Sequence, residues 1–223
     1  MVEAAKYSVI ELLRNGRPIE IRALRADDRA ELMAAIRRTS MQSIFRRFFV
    51  AKRGFTEQEI AFFLDIDFVH HVALVALVNE NGRQVIVGGG RYIVMQPDRA
   101  EVAFATVDEY QGKGIGTALM RHLTGIARAS GLIEFIAEVL PENTPMLKVF
   151  EKSGFRVSTK HEACTSAWIC PRRPDPAIFT ALASRRQQLH VYIDGNVPIG
   201  AYDSAPALSN TGRARGSLDS GVG

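Results

Sequence analysis

The stretch VDEYQGKGIGTALM, residues 107–120, sets Gly112, Gly114 and Gly116 within five positions. It follows the branched, apolar run AEVAFATV (100–107) and opens a segment in which Ile115, Leu119, Leu123, Ile126 and Ala127 keep helical spacing. Glycine weakens a strand and a helix alike, so three at one junction need a reason in the backbone. A strand that runs through a glycine-rich loop into a helix points several N–H groups at one spot, and the helix dipole adds its positive end there. That arrangement suits a phosphate or diphosphate, which a side chain at any of the three positions would hold away.

Three nucleotide-type patterns compete for such a loop. The phosphate-binding G-x-x-x-x-G-K-[ST] pattern is absent, because Lys113 sits inside the glycine run with no Gly-Lys-Ser/Thr triplet. The dinucleotide fingerprint G-x-G-x-x-G fails on GKGIGT, which reads G-x-G-x-G. The pattern [QR]-x-x-G-x-[GA] is met by Gln111, Gly114 and Gly116. Two carboxylates on nearby apolar strands are candidates for proton transfer. Glu101 begins the strand that leads into the loop and shares a face with the small Ala103 and Ala105, which leaves room for a substrate. Glu138, central in IEFIAEVL, is the second, since a charge inside an apolar strand calls for a partner. Asn143 stands where a later helix opens and serves either as its N-cap or as a ligand contact. Cys164 and Cys170 have no histidine placed beside them by any motif and no zinc or disulfide spacing. His70 and His71 read as surface residues at a strand entrance, and no metal site is expected.

The elements that must hold these residues follow from periodicity. PIEIRAL (18–24) alternates as a strand, and Asp27 or Asp28 is placed to cap a helix through RAELMAAIRR. A short helix is expected at about 41–49 and another after Thr56, where Glu59 completes a capping box. HVALVALVN and QVIVGGGRYIVM flank Asn81-Gly82, a tight hairpin signal. The strand 100–107, the long helix with Gly131 as its C-cap, the strand IEFIAEVL, a helix PMLKVFEKS ending at Gly154 and the strand FRVSTK complete the order β-α-α-α-β-β-β-α-β-α-β. The fold class is therefore α/β with a mixed sheet. Beyond Lys160 the periodicity fades: HEACTSAWICPRRPDPA is weakly strand-like, IFTALASRRQQL reads as a short helix, and a Gly-, Ser- and Ala-rich tail from about residue 203 is expected to be disordered.

Composition bounds the setting of this 223-residue chain. VALVALV (72–78) is its longest unbroken apolar run, far short of a membrane span, and MVEAAKYSVIELL lacks the character of a secretory signal. With two cysteines, these features point to a cytoplasmic protein without a membrane partner. The net charge of +4 is uneven: residues 1–55 carry 12 Lys and Arg against 6 Asp and Glu. The excess gathers around Arg37, Arg38, Arg46 and Arg47, with no nucleic-acid module, so no nucleic-acid partner is expected.

With Q-x-x-G-x-G at 111–116 and ENTPMLKVFEKSGF following one strand later, the chain resembles the GNAT family of acetyl-CoA-dependent N-acetyltransferases over about residues 18–159. SIFRRFF, HVALVAL, VGGGRY, AEVAFATVDEYQGKGIGT and AEVLPENTPMLKVFEKSGF are similar to the GNAT domain of bacterial Pat-type protein lysine acetyltransferases. The resemblance implies a GNAT fold: a mostly antiparallel central sheet with helices on both faces. It divides the chain into an N-terminal extension (1–17), a GNAT domain (18–170) and a C-terminal extension (171–223). It also implies acetyl-CoA as co-substrate, with its pyrophosphate on the amides of Gln111, Gly112, Lys113, Gly114, Ile115, Gly116 and Thr117, its pantetheine arm along Val107, and a contact from Asn143. Glu101 takes the part of general base, and the acceptor is a lysine of a protein such as an acyl-CoA synthetase. A small amine as acceptor, or a non-catalytic acyl-CoA-binding module, are the alternatives. The later helix of many GNAT enzymes carries a tyrosine that protonates the departing thiolate; Phe150 stands in that place and has no proton to give.

Overall fold

The computed structural model describes residues 3–50, 52–160 and 187–193. The chain order is β1 (Ser8–Leu12), β2 (Pro18–Ala23), α1 (Arg29–Arg37), α2 (Met41–Phe48), α3 (Glu57–Leu64), β3 (His71–Glu80), β4 (Arg83–Gln96), β5 (Arg99–Thr106), α4 (Ile115–Ala129), β6 (Glu134–Val139), α5 (Thr144–Glu151), β7 (Arg156–Lys160) and β8 (Gln187–Tyr192). The eight strands form one sheet in the order β1-β2-β3-β4-β5-β6-β8-β7. Every neighbouring pair is antiparallel except β5 with β6, which run parallel.

Several local signals act as their chemistry requires. Asn81 and Gly82 both take positive φ, 50° and 82°, as a tight β3–β4 hairpin needs. Thr56 and Glu59 close a reciprocal capping box on α3. Gly131, at φ 84°, ends α4, while the Leu132 N–H reaches back to the Ala127 carbonyl at 3.0 Å and the Gly131 N–H to that of Arg128 at 3.0 Å. Asp28 departs from its expected part. It stands at the N-cap of α1 but makes no side-chain cap bond; its carboxylate instead grips the Arg22 guanidinium through two hydrogen bonds of 2.7 and 2.6 Å. Both side chains are buried, so the pair joins β2 to the start of α1 beneath the surface.

Two strands lie where no strand was expected. β1 falls within the presumed N-terminal extension and pairs with β2 from Ser8↔Arg22 to Leu12↔Pro18. β8 falls within the presumed C-terminal extension, claims Gln187 to Leu189 from the expected helix, and lies between β6 and β7. The weakly strand-like run from His161, both cysteines and the tail from residue 203 lie outside the described residues.

The sheet has two dressed faces. One carries Leu74, Tyr92, Val102, Phe104 and Phe135 against α4 and α5; the other carries Ala73, Val75, Arg91, Ala103 and Glu101 toward α1–α3. Gly90 lets α4 close on the first face, since a Cβ there would come within 2.7 Å of the Phe104 ring and 2.9 Å of Leu123 Cδ1. Gly90→Ala is expected to cost about 1–3 kcal/mol by overpacking. Gly125→Ala, on the exposed side of α4 with nothing within 4 Å, is expected to gain about 0.5–1 kcal/mol. Urea unfolding of both variants checks the opposite signs.

Candidate active site

Strands β5 and β6 pair at only three positions, Arg99↔Glu134, Ala100↔Phe135 and Glu101↔Ile136. Beyond Glu101, β5 runs on to Thr106 and β6 to Val139 without further pairing to each other. The gap becomes a cleft of about 520 Å³, walled by residues 101–106 on one side and 137–139 on the other, and closed by the start of α4 and the inner side of α5. Glu101 stands where pairing stops and is 4% exposed. Glu138, two residues beyond Ile136, the register partner of Glu101, lies on the same sheet face as Glu101 and also lines the cleft.

At the mouth, the glycines divide into two kinds. Gly112 (φ 73°) and Gly114 (φ 96°) hold left-handed backbone, and a Cβ at Gly112 would meet nothing within 4 Å. Gly116 has ordinary φ; a Cβ there would press to 3.2 Å on Val149 Cγ2, so this glycine serves the approach of α5 to α4. Helix bonding in α4 begins with the Ala118 N–H donating to Gly114 O at 3.0 Å, and no side chain caps the helix. The N–H groups of Ile115, Gly116 and Thr117 therefore have no acceptor within the helix. Around them stand cations: Arg14 Nε would lie 3.9 Å from a Cβ placed on Gly114, and Lys148 and Lys152 line the α5 wall.

Other expected contacts are arranged differently. Gln111 donates its own N–H to Asp108 O at 3.1 Å and its side-chain amide to Ser43 Oγ (3.0 Å) and Thr106 O (3.2 Å). It holds the loop to α2 and β5. Asp108 completes that joint, accepting from Ser40 N (2.6 Å), Ser40 Oγ (2.9 Å) and Ser43 Oγ (2.7 Å). Burial works to raise the Asp108 carboxyl, but these donors hold it below the usual carboxylate range. Val107 is buried away from the main cleft: its N–H donates to Val87 O at 2.9 Å, and its carbonyl accepts from Tyr110 N at 2.8 Å. Lys113 folds over the Tyr110 ring, 4.6 Å from its centroid. Asn143 lines the cleft at the N-cap of α5 without capping it by its side chain. Phe150 is 1% exposed and meets Phe104 edge-on at 6.2 Å, so it completes an apolar wall.

Two residues outside the sequence reading reach this region. Arg14 does so because β1 and β2 form a hairpin, which local periodicity in Ser8–Leu12 does not announce. Arg91 was signalled by a cation amid the apolar VGGGRYIVM; it faces α3, stacks 4.9 Å from the Phe63 ring centroid and donates to His71 Nε2 at 3.1 Å. His71 is buried rather than superficial, with Nδ1 donating to Asp65 O at 3.0 Å, so the acceptor role of Nε2 fixes a neutral tautomer. Burial, aided by the Arg91 charge, lowers its pKa to about 4.

Comparisons with known proteins identify the family and the fold. The Acetyltransferase (GNAT) family pattern matches residues 38–155. An acetyltransferase of Pseudomonas aeruginosa is 36% identical over 147 residues, covering 66% of this chain and 79% of that protein. The acetyltransferase Pat of Mycolicibacterium smegmatis is 30% identical over 117 residues, 52% of this chain and 34% of Pat, so the match spans about a third of that longer relative. The GNAT domain of S. lividans PAT superposes with a TM-score of 0.66 at 26% identity, over 83% of this chain and 96% of that domain. The chain belongs to the GNAT acetyltransferase family, and it is an acetyltransferase.

The neutral His71 carries a pH signature. Between the ordinary imidazole value near 6.5 and its folded value of about 4, the unfolded chain binds a proton that the folded chain refuses. Stability from this group is thus complete above about pH 6.5 and is lost as pH falls toward 4, by about 1–3 kcal/mol. Urea unfolding across that window is expected to show the decline in the parent and a shallower one in His71→Gln. Identical slopes would contradict the assignment.

Proposed function

We propose that the protein transfers the acetyl group of acetyl-CoA to a lysine side-chain amine of a protein substrate, with Glu101 as general base. The observation that carries this reading is the coincidence, in one cleft, of an uncapped α4 N-terminus at the mouth and a buried carboxylate where β5 and β6 part. The amides of residues 112–117 and the cations Arg14, Lys148 and Lys152 suit a diphosphate; unpaired edges of β5 and β6 suit an amide-bearing arm laid between them. Acetyl-CoA supplies an activated thioester there. Glu101 takes a proton from the ammonium, directly or through one water, so that the neutral nitrogen can attack. The C–N bond forms and the C–S bond breaks; the thiolate, with an ordinary pKa near 8.5, departs without an acid at Phe150, and the nitrogen gives up its second proton to that thiolate or to water, leaving a neutral amide. A protein acceptor is favoured by the likeness to Pat enzymes in the sequence.

The test is incubation with labelled acetyl-CoA and acyl-CoA synthetases, polyamines and free amino acids in parallel. Label on protein lysines is expected, and label confined to small amines would move the acceptor class. Glu101→Gln is expected to bind coenzyme A as the parent does while lowering kcat by about 10²–10⁴-fold. Undiminished turnover would remove Glu101 from the chemistry.

A further inference from the structure

Behind the main cleft lies a second hollow of about 110 Å³, between the sheet and α1–α3. Its floor is a patch of small residues on one sheet face. Ala105 pairs with Gly89, while Ala103 and Ala73 lie on either side of Arg91 in register. Its roof is apolar, with Leu32 from α1, Ile44 from α2 and Phe63 from α3. Small side chains on the floor leave a gap that larger ones would fill. Among the described residues, a Cβ added at Gly89 would meet only Leu74 O at 3.5 Å and Val75 Cγ1 at 4.0 Å, both ordinary contacts. Protein interiors leave few voids larger than one water, so a space of this size stands out.

The hollow opens into the main cleft along Ser43, Phe48, Ala103 and Ala105, which line both. Ala103 and Ala105 stand two and four residues beyond Glu101, on the same face of β5. No carboxylate is among the described residues that line it. The two arginines at its edge hold their guanidinium groups over phenyl rings, Arg47 at 4.7 Å from the Phe48 centroid and Arg91 at 4.9 Å from that of Phe63. A water-sized group takes about 30 Å³, so three or four carbons fit and a phosphate-bearing arm does not.

We infer that this hollow takes the carbon chain of acyl-CoA thioesters longer than acetyl, with linear acyl groups of three to five carbons. The inference rests on the thioester and the general base proposed above for the main cleft. A carbonyl attacked beside Glu101 carries its alkyl group next to the opening at Ala103. That group is apolar, as the hollow is, and each methylene moved there from water adds to binding. The bonds exchanged do not change with chain length. The C–N bond forms at the carbonyl carbon and the C–S bond breaks; one ammonium proton goes to Glu101 and the second to the thiolate or to water.

The experiment is titration calorimetry of acetyl-, propionyl-, butyryl- and octanoyl-CoA without acceptor, followed by transfer from each donor. Butyryl-CoA is expected to bind about 10-fold tighter than acetyl-CoA, the worth of two buried methylenes, with no further gain at octanoyl-CoA. Gly89→Val, whose side chain fills the hollow from its floor, is expected to erase the gain and leave the Kd for acetyl-CoA unchanged. Leu32→Phe fills the same space from α1 and serves should Gly89→Val fold poorly. Equal affinity for acetyl- and butyryl-CoA, a gain that keeps rising to octanoyl-CoA, or a gain that survives both fillings would overturn the subsite and leave the acetyl-CoA reading intact. A parent that binds butyryl-CoA tightly but transfers only acetyl would overturn it as a donor subsite. Binding of no CoA thioester would overturn the acetyl-CoA reading and the subsite together.

Discussion

The parallel pairing of β5 and β6 lasts three residues and then stops, and most of what this molecule does follows from that interruption. A sheet that stayed zipped would leave no cleft between residues 102–106 and 137–139. Because β5 remains bonded to β4 and β6 to β8, the parted edges are held from outside and do not collapse toward each other. The hole in the sheet is therefore framed by ordinary antiparallel ladders, and its walls are presented by rigid strands rather than by loops.

Each side of that frame has its own chemistry. Toward α4 and α5 the wall is apolar and tightly packed: Phe104 meets Phe150, and Gly116 brings α5 against α4. Toward α1–α3 the wall carries charge: Glu101, Glu138, Arg47 and Arg91. The Asp108 joint ties α2 to the loop before α4, so the glycine loop and the basic helix are fastened to each other by side-chain hydrogen bonds.

Much of this was legible in the residue order because the deciding signals are local. The glycine loop, the Asn81-Gly82 hairpin, the Thr56 capping box and the Gly131 stop each depend on a few neighbouring residues. What escaped depends on distant partners. β1 exposes Ile10 and Leu12 at the sheet edge, so no buried stripe marks it as a strand. β8 buries Leu189 and Val191 only because β6 and β7 wait on either side. Gly116 looked like a phosphate glycine, but its constraint is Val149, 33 residues away in sequence and in contact only after folding. Arg91 was visible as an anomaly, a cation in an apolar strand, although its direction toward α3 depends on His71 and Phe63.

The most direct test of the account is an amide chemical-shift titration of the isotopically labelled protein with coenzyme A. The account predicts that the largest shifts fall on the backbone N–H groups of Gly112, Gly114, Ile115, Gly116 and Thr117, with small ones at Gln111 and Val107, whose N–H groups already have acceptors. Saturable binding whose shifts cluster elsewhere, or a folded sample that gives no shifts at all, would contradict it.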